Sequence, residues 1–157
     1  MPLAKIVSGG QTGVDRGALD AAIDAGFPCG GWCPPGRQAE DGKVPARYPL
    51  TELEAGGYSE RTLKNVLETD ATLILCCGEI EGGTAHTRDC CRAHGKPLLI
   101  IDAERSASAE AAKTIGAFIE RESVAVLNVA GPRASKWPQA HDYACAAVTH
   151  LLRTIRR

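Results

Sequence analysis

Ser8-Gly9-Gly10-Gln11-Thr12-Gly13-Val14-Asp15 follows the short apolar run Leu3-Ala4-Lys5-Ile6-Val7 and precedes Gly17-Ala18-Leu19-Asp20-Ala21-Ala22-Ile23. A β-branched run reads as a strand, the glycine segment as a tight turn, and the third stretch as a helix that stops at Gly26. Strand, glycine loop and helix in that order present backbone N–H groups at the positive end of a helix dipole, where an anion is favoured. Gly9, Gly10 and Gly13 have no Cβ to hold a ligand off the main chain, and Gln11 and Thr12 add side-chain hydrogen bonds. The competing reading is a turn that needs its glycines only for backbone angles.

The rest of the chain repeats the pattern. Ala71-Thr-Leu-Ile-Leu-Cys76 is continuously apolar, as a buried parallel strand should be, and runs into Gly78-Glu-Ile-Glu-Gly-Gly-Thr-Ala-His-Thr87 and a helix reaching His94. In that loop Thr84 suits an N-cap or a phosphate ligand, and His86 reads as a surface or capping residue rather than a catalyst. Val124 to Val129 forms a further strand, followed by a third loop with Gly131 for close approach, Arg133 for a planar fork and Ser135 for a hydroxyl. Phe27 to Cys33 reads as a strand broken by glycines, and Lys96 to Ile101 as another strand. Helices are expected over 58–67 and 108–121 and at the C-terminus. In the first of these, Arg61 and Asn65 share a face: either they meet only each other or, with Thr62, they point at the site.

Strands alternating with helices, without a repeat or linker, predict one α/β domain over residues 1–157. The expected fold is Rossmann-like and three-layered, with a mostly parallel central sheet of about five or more strands. Ligands of such sheets bind beyond the carboxyl ends of the strands. All three glycine-bearing loops should therefore converge on one pocket for an anionic, phosphorylated small molecule. The irregular segment 34–49 carries four prolines, two glycines and Arg37, Glu40, Asp41, Lys43 and Arg47. It is either a lid over the ligand or a solvated surface loop.

Composition narrows the function classes. The 157 residues carry a net charge of −1, with 44% hydrophobic and 24% charged residues. That is ordinary for a globular protein and argues against general binding of nucleic acid or acidic membrane. The longest apolar stretches are too short to span a bilayer, and no signal-peptide pattern opens the chain, so a cytoplasmic protein is expected. Seven cysteines without a CxxC spacing predict neither a disulfide framework nor a zinc site. The first loop ends without Gly-Lys-Ser/Thr, so it is no P-loop, and its glycines are spaced GGxxG rather than GxGxxG.

In order along the chain stand Ser8-Gly-Gly-Gln-Thr-Gly-Val-Asp-Arg-Gly-Ala-Leu-Asp20, Gly31-Trp-Cys-Pro34, Glu40-Asp-Gly42, Tyr58 with Arg61-Thr-Xaa-Xaa-Asn65, Gly82-Gly-Thr-Xaa-Xaa-Thr87 and Asn128-Val-Ala-Gly-Pro-Arg133. This set resembles the molybdenum cofactor carrier proteins, grouped with the circularly permuted members of the Rossmann-like SLOG superfamily. The resemblance implies a homo-oligomer, dimer or tetramer, that holds the molybdenum cofactor (molybdopterin), a pterin with a terminal phosphate and a dithiolene-bound metal. It also implies molybdoenzymes as recipients of the cofactor. Gly9–Gly13 and Gly82–Thr84 would then cradle the phosphate, with Asp15, Asn65, Thr87, Gly131 and Ser135 around them. Arg37, Arg61 and Arg133 would supply positive charge.

The same superfamily includes cytokinin-activating phosphoribohydrolases, whose PGGxGTxxE loop carries a glutamate for cleavage of nucleoside monophosphates. The similar loop here places Thr87 where that glutamate stands, and a threonine offers no carboxylate for the reaction. Catalysis would fall to Asp15 or Glu40. A binding and carrier protein is the leading expectation, with a nucleotide N-glycosidase or a nucleotide-ligand sensor as alternatives.

Overall fold

The apolar runs become strands in the computed structural model, which describes residues 2–155. In chain order the first elements are β1 (Lys5–Val7), α1 (Val14–Asp24), β2 (Cys29–Gly30), β3 (Trp32–Cys33), β4 (Gln38–Ala39), β5 (Gly42–Lys43), β6 (Thr51–Glu52) and α2 (Tyr58–Leu67). There follow β7 (Ala71–Cys76), α3 (Gly82–Ala93), β8 (Leu98–Asp102), α4 (Ser108–Glu122), β9 (Val126–Ala130) and α5 (Ala140–Ile155). The last two arginines of the basic C-terminal run, read from sequence as a helix end, lie outside the described residues.

The central sheet has the order β2-β1-β9-β7-β8, and every neighbouring pair is parallel. This is the Rossmann-like α/β architecture expected. Side-chain alternation along β7 divides its two faces. Leu73 and Leu75 join the large core with Ala18 and Ala22 of α1, Ile115 and Ile119 of α4, and Val148 and Leu151 of α5. On the opposite face α2 and α3 pack together through Val66, Cys90 and Cys91. Each buried Leu, Ile or Val contributes roughly 1.5–3 kcal/mol of hydrophobic stabilisation. β9 is captured at its start by Asp70, whose Oδ2 accepts the Ala125 and Val126 N–H groups at 3.0 and 2.8 Å.

Two stretches differ from the sequence expectation. The single broken strand at 27–33 is two short strands. β2 continues the main sheet, and Gly31 redirects the chain so that β3 pairs with β6 instead. Segment 34–49 does not line the cavity, and although most of its residues are exposed it is anchored: Gln38–Ala39 and Gly42–Lys43 form the β4–β5 hairpin, and Ala39, Val44 and Tyr48 bury against Leu19 of α1. An apolar residue at every few positions gives this proline-rich segment its own small core.

Gly17 permits a close approach of α1 to α5. A Cβ there would lie 2.4 Å from the His141 carbonyl oxygen and 2.9 Å from Ala144 Cβ. His141 Nε2 also meets Asp20 Oδ2 at 2.6 Å across the same crossing. Backbone cannot yield as a flexible side chain does, so Gly17→Ala is expected to cost about 1–3 kcal/mol, read as a lower urea midpoint with an unchanged slope. An unaltered midpoint would show that the two helices separate freely.

Candidate functional site

The loops after β1, β7 and β9 leave adjacent strands and surround a cavity of about 880 Å³. Its wall includes Gly9, Gln11, Asp15, Arg61, Asn65, Gly82, Gly83, Thr84, Thr87, Gly131 and Arg133 of the residues singled out by sequence. Gly10, Thr12, Gly13, Arg37, Glu40 and Ser135 do not line it, nor does any other residue of segment 34–49.

The first loop lies at the cavity, yet several of its backbone donors are already engaged. Gln11 N–H donates to Asp15 Oδ2 at 3.2 Å, Thr12 N–H to Gln11 Oε1 at 3.0 Å, and Val14 N–H to the Pro132 carbonyl at 3.2 Å. Its glycines make room for protein rather than ligand. A Cβ on Gly9 would fall 2.5 Å from Arg61 Nη1, and one on Gly13 would fall 2.5 Å from the Pro132 oxygen. Gly10 packs in the same way on Leu50, and Gly131 on the Leu75 carbonyl. Much of the expected cradle at Gly9–Gly13 is therefore taken up by the chain's own contacts, while Gly9 and Gln11 still line the cavity.

The α3 loop is the reverse case. Its N-cap residue Glu81 makes no side-chain capping bond, and the N–H groups of Gly82, Gly83 and Thr84 have no partner among the described residues. A Cβ on Gly82 or Gly83 would meet nothing within 4 Å. An open helix N-terminus on a cavity wall, with small residues at its tip, is electrostatically favourable to an anion. Thr84, 6% exposed, has an unpartnered hydroxyl there, whereas Thr87 donates its own to the Gly83 carbonyl at 3.1 Å.

Arg61 lies across the cavity from that tip only in the sense that both form its wall. It is 8% exposed, donates Nη1–H to the Gly9 carbonyl at 2.8 Å, and packs its guanidinium over Tyr58. Its other donors have no protein partner among the described residues. Burial raises the Asp15 carboxyl above its ordinary range, although the Arg61 charge and hydrogen bonds from the loop pull the other way. Asn65 is committed elsewhere: Oδ1 accepts the Trp32 N–H at 2.8 Å and Nδ2 donates to the Trp32 carbonyl at 3.1 Å.

The remaining candidates serve the frame. Arg37 Nε and Nη2 donate to the carbonyls of Val44, Pro45 and Tyr48 at 2.9, 2.7 and 2.9 Å, which closes its own loop. Thr12 and Ser135 both hydrogen-bond the Glu40 carboxylate. Burial disfavours the charge on Glu40, but those bonds and Arg133 outweigh it and hold the carboxyl below its usual range.

Sequence reasoning passed over Asn128, Lys136 and Trp137, which also line the cavity, and it read His86 as peripheral although it lies in the wall. Asn128 carried a legible signal, being polar in an otherwise apolar strand. It is 2% exposed, and its Nδ2 donates to Thr72 on β7 at 3.2 Å, which leaves Oδ1 without a protein partner. Among the described residues no cluster of three or more His, Cys, Asp or Glu is placed to hold a metal ion. No helix among them is long and apolar enough to cross a membrane.

Residues 6–152 match the circularly permutated YpsA SLOG family. The fold superposes on the crystal structure of the "Putative molybdenum carrier protein" from Syntrophus aciditrophicus SB with a TM-score of 0.93. The two sequences are 44% identical over 96% of each chain. No curated protein matches.

A carboxyl with a raised pKa binds its proton more tightly in the native than in the unfolded state. Its contribution to stability is therefore present below the unfolded pKa and lost as pH rises through the native value. Thermal melts of the wild type and Asp15→Asn across pH 4 to 8 are expected to diverge in the wild type's favour toward acid. Parallel curves would show that Asp15 is ionised at its ordinary pKa.

Proposed function

Because the chain belongs to the circularly permutated YpsA SLOG family, we propose that its ligand-binding cavity takes up the molybdenum cofactor as cargo. The observation that carries this reading is the uncapped N-terminus of α3, open at Gly82 and Gly83 to a cavity that Arg61, Arg133 and Lys136 also line. The terminal phosphate of the cofactor fits that end of the cavity, where three backbone donors and a helix dipole favour an anion. The volume lies within the usual range for a pocket that encloses a small organic ligand. Asn128 Oδ1 and the Asp15 carboxyl are the groups in the wall suited to N–H donors of a heterocycle. The dithiolene supplies the sulfur ligands of the metal, so this reading asks for no protein metal site. The carrier name of the Syntrophus protein supports the choice of ligand.

A second reading has one observation in its favour. Asp15 is buried in the cavity wall with a raised pKa, as a general acid for cleavage of an N-glycosidic bond would be. Glu40 is withdrawn from that role, since its carboxylate is engaged outside the cavity.

Anaerobic native mass spectrometry of the protein mixed with molybdenum cofactor and adenosine monophosphate separates the two. An intact cofactor complex beside unchanged nucleotide is expected. Release of adenine, abolished by Asp15→Asn, would replace the carrier with a hydrolase. Gly83→Val places its side chain where the protein has no atoms, so the fold should melt within a few degrees of wild type. Cofactor affinity should fall at least about tenfold through the lost approach to the helix tip. Unchanged affinity in this variant would move the phosphate away from α3.

A further inference from the structure

Arg133, a cation at the cavity, forms an ion pair with Glu40. Its Nε lies 3.5 Å from Glu40 Oε1, and its side chain is 43% exposed. No other nitrogen of this guanidinium has a protein partner among the described residues, and the residue lines the cavity. An ion pair on the Nε side leaves the two-pronged Nη1/Nη2 edge of the guanidinium free, the edge that matches two oxygens of a phosphate.

Glu40 is itself fixed from several sides. Oε1 accepts the Ser135 hydroxyl at 2.6 Å, and Oε2 accepts the Thr12 hydroxyl and the Ser135 N–H. The Glu40 N–H donates to Gln11 Oε1 at 2.9 Å. Next to it at the hairpin tip, Asp41 forms a bidentate pair with Arg16 at 2.6 and 2.8 Å, and Arg16 Nε donates to the Gly10 carbonyl. The tip of the β4–β5 hairpin is thus fastened to the first and third loops, behind the residues that line the cavity.

We propose that Glu40 is a positioning residue, holding Arg133 through Nε so that the Nη1/Nη2 edge is presented to a phosphate bound at the cavity. The inference rests on the anion-binding reading above and assigns the orientation of one of its cations. A long, half-exposed arginine otherwise spreads over many rotamers, and ordering it on binding costs affinity. Pinning one end beforehand removes part of that cost. Glu40 also places a negative charge near the anion, which acts in the opposite direction. The proposal states that orientation outweighs repulsion.

The test is a double-mutant cycle on Glu40 and Arg133, with inorganic phosphate as the probe, titrated at constant ionic strength and followed by calorimetry. Circular dichroism melts of each variant serve as the control for folding. Glu40→Ala and Arg133→Ala should each weaken phosphate by about tenfold, the scale of a charge-assisted hydrogen bond, and the double variant should lose no more than either. Glu40→Gln keeps a carbonyl oxygen beside Nε and removes the negative charge, so it should bind at least as tightly as the wild type. Additive losses, or tighter binding by Glu40→Ala, would overturn the proposal and show that the carboxylate only repels the anion. A wild type that binds no phosphate would remove the anion site, and the inference with it. A wild type that binds while the cycle is additive removes the inference alone.

Discussion

The insertion of β9 between β1 and β7 is the constraint on which the rest of the structure depends. Its register is fixed on both sides, by Val7 opposite Asn128 and by Thr72 opposite the same residue. Asp70 secures the entry by accepting two consecutive N–H groups. With β9 in place, the loops that leave β1 and β9 become neighbours, and Gly13 and Val14 press onto Pro132. That contact anchors α1, whose crossing with α5 fills the larger core. It also brings Asn128 to the cavity.

The same packing decides which polar groups remain free. The first loop lies between the third loop and the hairpin, so several of its polar groups are consumed: Gln11 N–H donates to Asp15, while Gln11 Oε1 and Thr12 Oγ1 accept the Glu40 and Ala134 N–H groups. α3 starts on the other side of the sheet's centre, where no loop crosses its N-terminus, and its donors stay open. Burying polar groups without partners is costly. Cavity-facing donors without a protein partner therefore mark where water or a ligand belongs. Arg61 links the two regions, one nitrogen bound to the first loop and the others turned to the shared space.

Much of this was legible in the sequence, and the reason is local. β7 is apolar but for Thr72 and buried at every position, and α2 was bounded to the residue. The convergence of three loops follows from strand–helix alternation alone. The role of each glycine was not legible, because it depends on what lies opposite the missing Cβ. Gly9 reads as an opening for ligand until Arg61 is found filling it, and Arg61 arrives from 52 residues away. The same holds for Arg37, Thr12 and Ser135, whose side chains point at plausible chemistry in sequence and at neighbouring loops in space. In segment 34–49, exposed over most of its length, the prolines hide the spaced apolar residues that attach it to α1.

The late position of β9 in the chain has a consequence for biogenesis. Everything from β1 to α4 can leave the ribosome while the middle of the sheet is still vacant, since β1 and β7 do not pair with each other. Until β9 emerges, two half-sheets expose apolar edges and the cavity has only part of its wall. Long-range closure of this kind is slow compared with local helix formation and leaves aggregation-prone surface in the interval. A ligand bridging α3 to Arg133 would join residues on both sides of the closing strand and would fasten them together on newly made protein.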